Sequence, residues 1–193
     1  MRLGAVLCAG VALFALPVLA QDIVSARYLK PTDAYGHGAV EGGEYAKLEV
    51  TLSDGKRLGL SYRSAVFEDT APRLHDFDKD GSPEVVTVVA TFDAGARVQI
   101  FALKDSTLVP IVSNSPIGTR DRWLAIAGIA DFNADGVDDI AYVDRPHLAK
   151  VLRVLSVDID GITGRTQELM TQNGLTNHHY GSAVIEGGVR SCS

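Results

Sequence analysis

The chain has 193 residues, 46% of them hydrophobic and 22% charged, with a formal net charge of −6. That length allows one domain or one small repeat array. The acidic balance excludes a charge-driven grip on nucleic acid or an anionic membrane surface.

Residues 1–20 carry one Arg, then an apolar run, then Pro17 and a small residue at Ala20 before "QD". This order reads as a signal peptide cleaved after Ala20, giving a secreted or periplasmic product that is not membrane-embedded. The rival reading is a membrane anchor, because the run approaches the lower limit for a span. Cleavage takes 20 of the 193 residues and Arg2 with them, which leaves 173 residues and a charge of −7. Cys192 is then the lone cysteine, so no intramolecular disulfide braces the fold.

From there the chain reads as short β-runs. "YAKLEVTL" (45–52) alternates with period 2, "SDGK" (53–56) supplies a turn, and "RLGLSY" (57–62) returns as a hairpin. "EVVTVVATF" (84–92) is apolar and β-branched on both faces, and "ARVQIFAL" (96–103) and "STLVPIV" (106–112) follow it. "WLAIAGIA" (123–130), "DIAYVD" (139–144) and "AKVLRVLSVDI" (149–159) repeat the rhythm. "TGRTQELMTQNG" (163–174) fits a short helix or a strand ending in a loop. The composition says all-β.

Repetition organises these runs. "LHDFDKDGSPEVV" (74–86) matches "IADFNADGVDDIA" (129–141) at an offset of 55 residues, and each copy leads into a β-run, a polar gap and another β-run. A period of that size, built of several short strands, fits a β-propeller blade. It divides the mature chain into units of about 22–65, 66–120 and 121–175, with a remnant at 176–193.

Each matched loop offers oxygens at fixed positions counted from its first Asp. Positions 1, 3, 5 and 9 are Asp76, Asp78, Asp80 and Glu84 in one copy, and Asp131, Asn133, Asp135 and Asp139 in the other. Position 6 is Gly81 or Gly136, where positive φ lets the oxygens converge. Position 7, Ser82 or Val137, offers in common only a backbone carbonyl. Position 2, Phe77 or Phe132, is free to point into the core. A hard cation with six to eight oxygen ligands suits this spacing, which favours calcium over magnesium at two sites.

Competing readings fail on spacing or on repetition. An EF-hand or dockerin-like loop needs an acidic residue at position 12, where Thr87 and Tyr142 stand. An aspartyl phosphatase would not carry its motif twice. A pair of solvated Asp/Gly turns would crowd carboxylates together with nothing to offset their repulsion.

The segments "DFDKDGSPEVV" and "WLAIAGIADFNADGVDDIAYV" resemble the repeats of the FG-GAP and VCBS repeat families, and the layout is similar to small secreted VCBS repeat proteins of bacteria. The resemblance implies an Asp-rich calcium loop between strands of a propeller blade, with ligands at the positions named above, and it implies no catalysis. It covers residues 66–103 and 121–157. A third loop at the same offset would start at Glu186, but "EGGVRSCS" puts Gly188 and Arg190 at positions 3 and 5, so that copy reads as degenerate and cut short. Three units are fewer than propellers use to close, which predicts open strand edges and a strand-completing partner, a homo-oligomer or low stability.

Other candidates carry less. His178 and His179, being adjacent, would face opposite sides of a strand and read as a solvated pair; His37 and His147 read as turn residues and His75 as a packing neighbour of the first loop. Trp123, Tyr142 and Phe92 read as core, with "TRDRW" (119–123) as a rival carbohydrate-facing patch pairing Arg120 and Arg122 with Trp123. The sequence holds no GxSxG, HExxH or CxxC. Glu41, Glu44 and Glu68 leave open a carboxylate pair for glycoside chemistry. The reading is therefore a secreted calcium-binding repeat module with a structural or interaction role toward a protein or carbohydrate partner. The alternative is an extracytoplasmic propeller hydrolase or lyase.

Overall fold

The computed structural model describes residues 21–190. Residues 1–20, read above as a signal peptide, and Cys192 lie outside the described residues. Within them are twelve strands and no helix, so none is long and apolar enough to cross a membrane.

β1 (Ile23–Pro31), β2 (Glu44–Leu52), β3 (Arg57–Leu60), β4 (Ala65–Glu68), β5 (Arg73–His75), β6 (Glu84–Thr91), β7 (Gly95–Lys104) and β8 (Thr107–Ser113) share one antiparallel sheet. β9 (Leu124–Ala130), β10 (Asp139–Asp144), β11 (Val151–Asp160) and β12 (Thr163–Asn173) form a second, and the two sheets do not close into a ring. The fold is all-β and propeller-like in its repeated four-strand meanders.

Local sequence explains most of these strands. β2 and β3 pair as a hairpin with Thr51 opposite Arg57, and Gly55 at the turn takes φ 84°, which a side chain would resist. β6 is buried on both faces: Val85 and Val89 enter one core, and Val86, Val88 and Ala90 enter another. A strand buried on two sides has no reason to alternate, which accounts for its unbroken valine run.

The large sheet folds back on itself. β2 pairs with β3 along Leu48–Thr51 but with β4 at Glu44 and Tyr45, and β4 then pairs with β6 at Ala65–Phe67. The β1–β3 half thus covers one face of β6–β8, enclosing Tyr28, Leu48, Phe67 and Phe101. The second sheet covers the other face, enclosing Val98, Trp123, Ile126 and Tyr142. Three layers result, with β6–β8 in the middle.

Three strands, β1, β4 and β5, have no counterpart in the sequence reading. β9 pairs with β10 over its whole length, whereas the matching position beside β6 is split between β4 and β5 because residues 69–72 leave the ladder. Pro72 has no N–H to give a ladder. Asp69, fully buried, holds the excursion by accepting from Thr70 N at 2.7 Å and Arg73 Nη1 at 2.6 Å.

Residues 163–173 are strand, not helix. β12 pairs with β11 along Val151–Asp160, and with nearly every residue exposed it depends on that ladder. Residues 174–190 hold no strand and return across β9, where Gly188 N donates to Ala127 O at 2.9 Å. A Cβ on Gly187 would sit 2.3 Å from Ala127 O, so this crossing demands glycine.

Candidate metal centre

The two acidic loops join β5 to β6 and β9 to β10. Their backbones are wired alike. In the first, Asp76 accepts from Asp80 N at 3.1 Å and Gly81 N at 3.0 Å. In the second, Asp131 accepts from Asp135 N at 3.1 Å and Gly136 N at 2.8 Å. Asp80 accepts from Ser82 N at 2.7 Å, as Asp135 does from Val137 N at 2.8 Å. Glu84 Oε2 and Asp139 Oδ2 each accept, at 3.0 Å, from the N–H of the loop phenylalanine, Phe77 or Phe132.

Glycine at position 6 does what the turn requires, with φ 92° at Gly81 and 91° at Gly136. Position 4 is also left-handed, at φ 60° for both Lys79 and Ala134. Neither residue is a glycine or asparagine, so residue type offers no cue to that conformation.

Asp76, Asp78 and Glu84 converge, each offering an oxygen within 4.8 Å of the others. Asp80 is exposed and stands outside this trio. In the second loop Asn133 replaces a carboxylate and donates to Asp135 Oδ2 at 2.8 Å, while Ser82 and Val137 keep position 7. Glu84 and Asp139 reach the loops from the first residue of β6 and of β10 and are buried. Burial pushes the Glu84 carboxyl up to about 7 and raises that of Asp139. Asp139 Oδ1 is buried without a hydrogen-bond partner. An orphaned carboxylate oxygen and a converging trio are donor sets that fit a hard oxygen-seeking cation.

The loops differ in their surroundings. Phe77 is 6% exposed and packs against the second sheet. Phe132, expected in the core, is 45% exposed, because no further layer follows the second sheet. Side chains also tie the first loop to its neighbours: Ser82 Oγ donates to Asp22 Oδ1 at 2.7 Å, and Lys79 Nζ to Gly136 O at 2.9 Å. His75, stacked edge-on to Phe77 at 4.6 Å, pairs with Asp138 at 2.8 Å.

The remaining sequence candidates separate. Tyr142 is buried and Phe92 half-buried against the core. Trp123 is 2% exposed with Nε1 donating to Glu68 O at 2.7 Å, so "TRDRW" forms no aromatic platform. Arg120 lies instead over the Tyr35 ring at 4.9 Å, and Arg122 lines a neighbouring cavity. Glu41 is exposed, and Glu44 accepts from Gly36 N and Gly38 N, both at 2.9 Å, as a loop fastener. His178 corrects the reading of a solvated pair: it is 2% exposed, while His179 is exposed.

Residues 76–142 match the family model described as FG-GAP-like repeat. No curated protein and no solved structure matches the chain significantly. The matched span begins at the first Asp of one loop, ends inside β10 beyond the other, and so contains the twice-built backbone network. Over that third of its length, which takes in both acidic loops, the chain is similar to an FG-GAP-like repeat.

Proposed function

We propose that the protein is a secreted interaction module of β-propeller type, stabilised by two calcium ions and without catalytic activity. One ion is held by Asp76, Asp78, Asp80, Glu84 and the Ser82 carbonyl. The other is held by Asp131, Asn133, Asp135, Asp139 and the Val137 carbonyl. The observation that carries this reading is the convergence of Asp76, Asp78 and Glu84 in a loop whose hydrogen bonds recur in the second copy.

The cation supplies charge neutralisation to a cluster that otherwise repels itself. The residues do the rest. Asp76 and Asp131 shape the turn through the backbone N–H groups, and Glu84 and Asp139 anchor it to the following strand. Binding energy then becomes folding energy. Extracellular calcium modules work at about 10⁻⁴ to 10⁻³ M, a range this exposed loop pair suits. The units 22–65, 66–120 and 121–175 act as one array. The exposed outer edge of β12 supports a strand-completing partner or a second copy.

Thermal unfolding in millimolar calcium, in millimolar magnesium and in excess chelator tests the reading. A rise of several degrees with calcium alone is expected. Equal, cooperative melting in all three solutions would reduce both loops to turns.

A further inference from the structure

At the opposite strand ends from the acidic loops, β9 begins and β10 ends beside one cavity. The ladder pairs Leu124 with Asp144, and Arg145 N then donates to Trp123 O at 2.9 Å. Arg122 and Arg145 therefore emerge next to each other just past the last paired residues. Both line a cavity of about 260 Å³ whose apolar and aromatic wall includes Trp123, Pro146, Leu148 and Tyr180. Neither acidic loop contributes to it.

Charge around this cavity does not cancel. Asp144 accepts from Arg145 Nε and Nη2, both at 2.8 Å, and from Arg153 Nε at 3.1 Å. Arg153 also meets Glu168, and Asp121, on the cavity wall, is paired with Arg120 at 3.3 Å. Glu68, whose carbonyl accepts from Trp123 Nε1, meets His37 Nδ1 at 2.5 Å. Each of these carboxylates has a partner, whereas Arg122, partly buried, pairs with no carboxylate among the described residues. Its Nη1 donates to Asp121 O at 2.6 Å. That leaves the Nε and Nη2 edge, the fork that takes a carboxylate in two parallel hydrogen bonds. Arg145, held by Asp144 through Nε and Nη2, keeps Nη1 as a further donor.

The backbone that carries both arginines is held in place. Tyr35 Oη accepts from Asp121 N at 2.8 Å, and Tyr35 O accepts from Arg120 Nη2 at 2.5 Å, which pins the segment leading into Arg122. Arg145 O accepts from Leu148 N at 2.8 Å and Lys150 N at 3.1 Å, closing the turn that brings Pro146 and Leu148 to the wall. Arg145 at φ 49° and Asp121 at φ 54° are both left-handed, a conformation that residues with a Cβ take seldom and only where surrounding bonds enforce it. The guanidinium groups are thus presented by a rigid frame, so little ordering remains for a ligand to impose.

We propose that Arg122 and Arg145 bind the carboxylate of a small organic acid whose apolar body rests against Pro146, Leu148 and the Tyr180 ring. A few placed polar groups on a mostly apolar wall are what a small-molecule site requires, and that wall strengthens the ion pair by excluding water. An inorganic oxyanion would satisfy the arginines but leave the apolar part of the cavity unfilled. A neutral apolar ligand would cover Arg122 without pairing it, at the cost of desolvating a charge. The site lies apart from the acidic loops, so it gives the module a small-molecule ligand that does not depend on calcium for its contacts.

Isothermal titration of the protein with cyclohexanecarboxylate, in saturating calcium and low salt, tests this. One equivalent is expected to bind at submillimolar Kd and to change the emission of Trp123, the chain's single tryptophan. Binding weaker by about tenfold or more is expected in Arg122→Gln and in Leu148→Asp. The same loss is expected on the parent protein for cyclohexylmethanol, which lacks the charge, and for inorganic phosphate, which lacks the apolar body. The Arg122 side chain bonds only to its neighbour's carbonyl and Leu148 is exposed, so both variants fold. Absence of binding, or equal affinity in Arg122→Gln or for cyclohexylmethanol, would overturn the anion site. Full affinity in Leu148→Asp or for phosphate would overturn the apolar body.

Discussion

His75 Nε2 lies 2.8 Å from Asp138 Oδ2, joining the last residue before the first acidic loop to the second loop, 63 residues later. With Lys79 Nζ on Gly136 O, it makes the two loops one bracket across the two sheets. A partly buried, charge-assisted hydrogen bond contributes on the order of 1–2 kcal/mol. Denaturant unfolding of His75→Ala is therefore expected to show a loss of about that size, and Asp138→Ala a similar one. Losses that add in the double variant would show that the pair does not act as a unit.

Asp76 and Asp78 separate the loop's shape from its cation. Asp76 accepts two backbone N–H groups, while Asp78 accepts one, at 3.3 Å. Asp76→Ala is expected to lower the melting temperature with or without calcium. Asp78→Asn is expected to leave the chelated protein within about 2 °C of the parent while shrinking the calcium-induced rise. If Asp78→Asn responds to calcium like the parent, Asp78 is no ligand.

Protons and calcium compete for Glu84. Its carboxyl is pushed up to about 7 by burial, so the folded, metal-free state holds a proton that the unfolded chain releases near its ordinary value. Stability in chelator is fully present below that ordinary value and is lost as pH rises through about 7. Glu68, also pushed up to about 7 by burial, acts in the same direction. Calcium needs the ionised form, so its affinity at the first site should fall as pH drops below about 7, approaching tenfold per pH unit. Calcium titrations and chelated melts from pH 5.5 to 8 check both signs. An affinity that does not change with pH would remove Glu84 from the ligand set.

The two loop phenylalanines should behave differently despite their matched positions. Phe77 is buried between the sheets and Phe132 is nearly half exposed. Phe77→Ala is expected to cost about 3–5 kcal/mol, and Phe132→Ala about 0.5 or less. Equal costs, measured by denaturant unfolding, would mean that another layer covers Phe132 in solution.

Much of this molecule is legible along the chain because its physics is local. Alternation in β2, the two-faced valine run of β6 and the Asp/Gly register of the loops follow from strand pleat, burial and turn geometry, each set by neighbours a few residues away. What tertiary structure alone decides is which of those local features meets what. β4 and β5 escape notice because four residues leave the ladder and only a buried Asp69 holds them. Phe77 and Phe132 occupy the same position in the same motif, yet one is covered and one is not, since cover comes from a layer more than forty residues away. His147 and His178 look like unrelated residues until two connections bring both rings against Trp123. Sequence spacing carries no record of that meeting, because the distances that matter there run between strand ends and not along the chain.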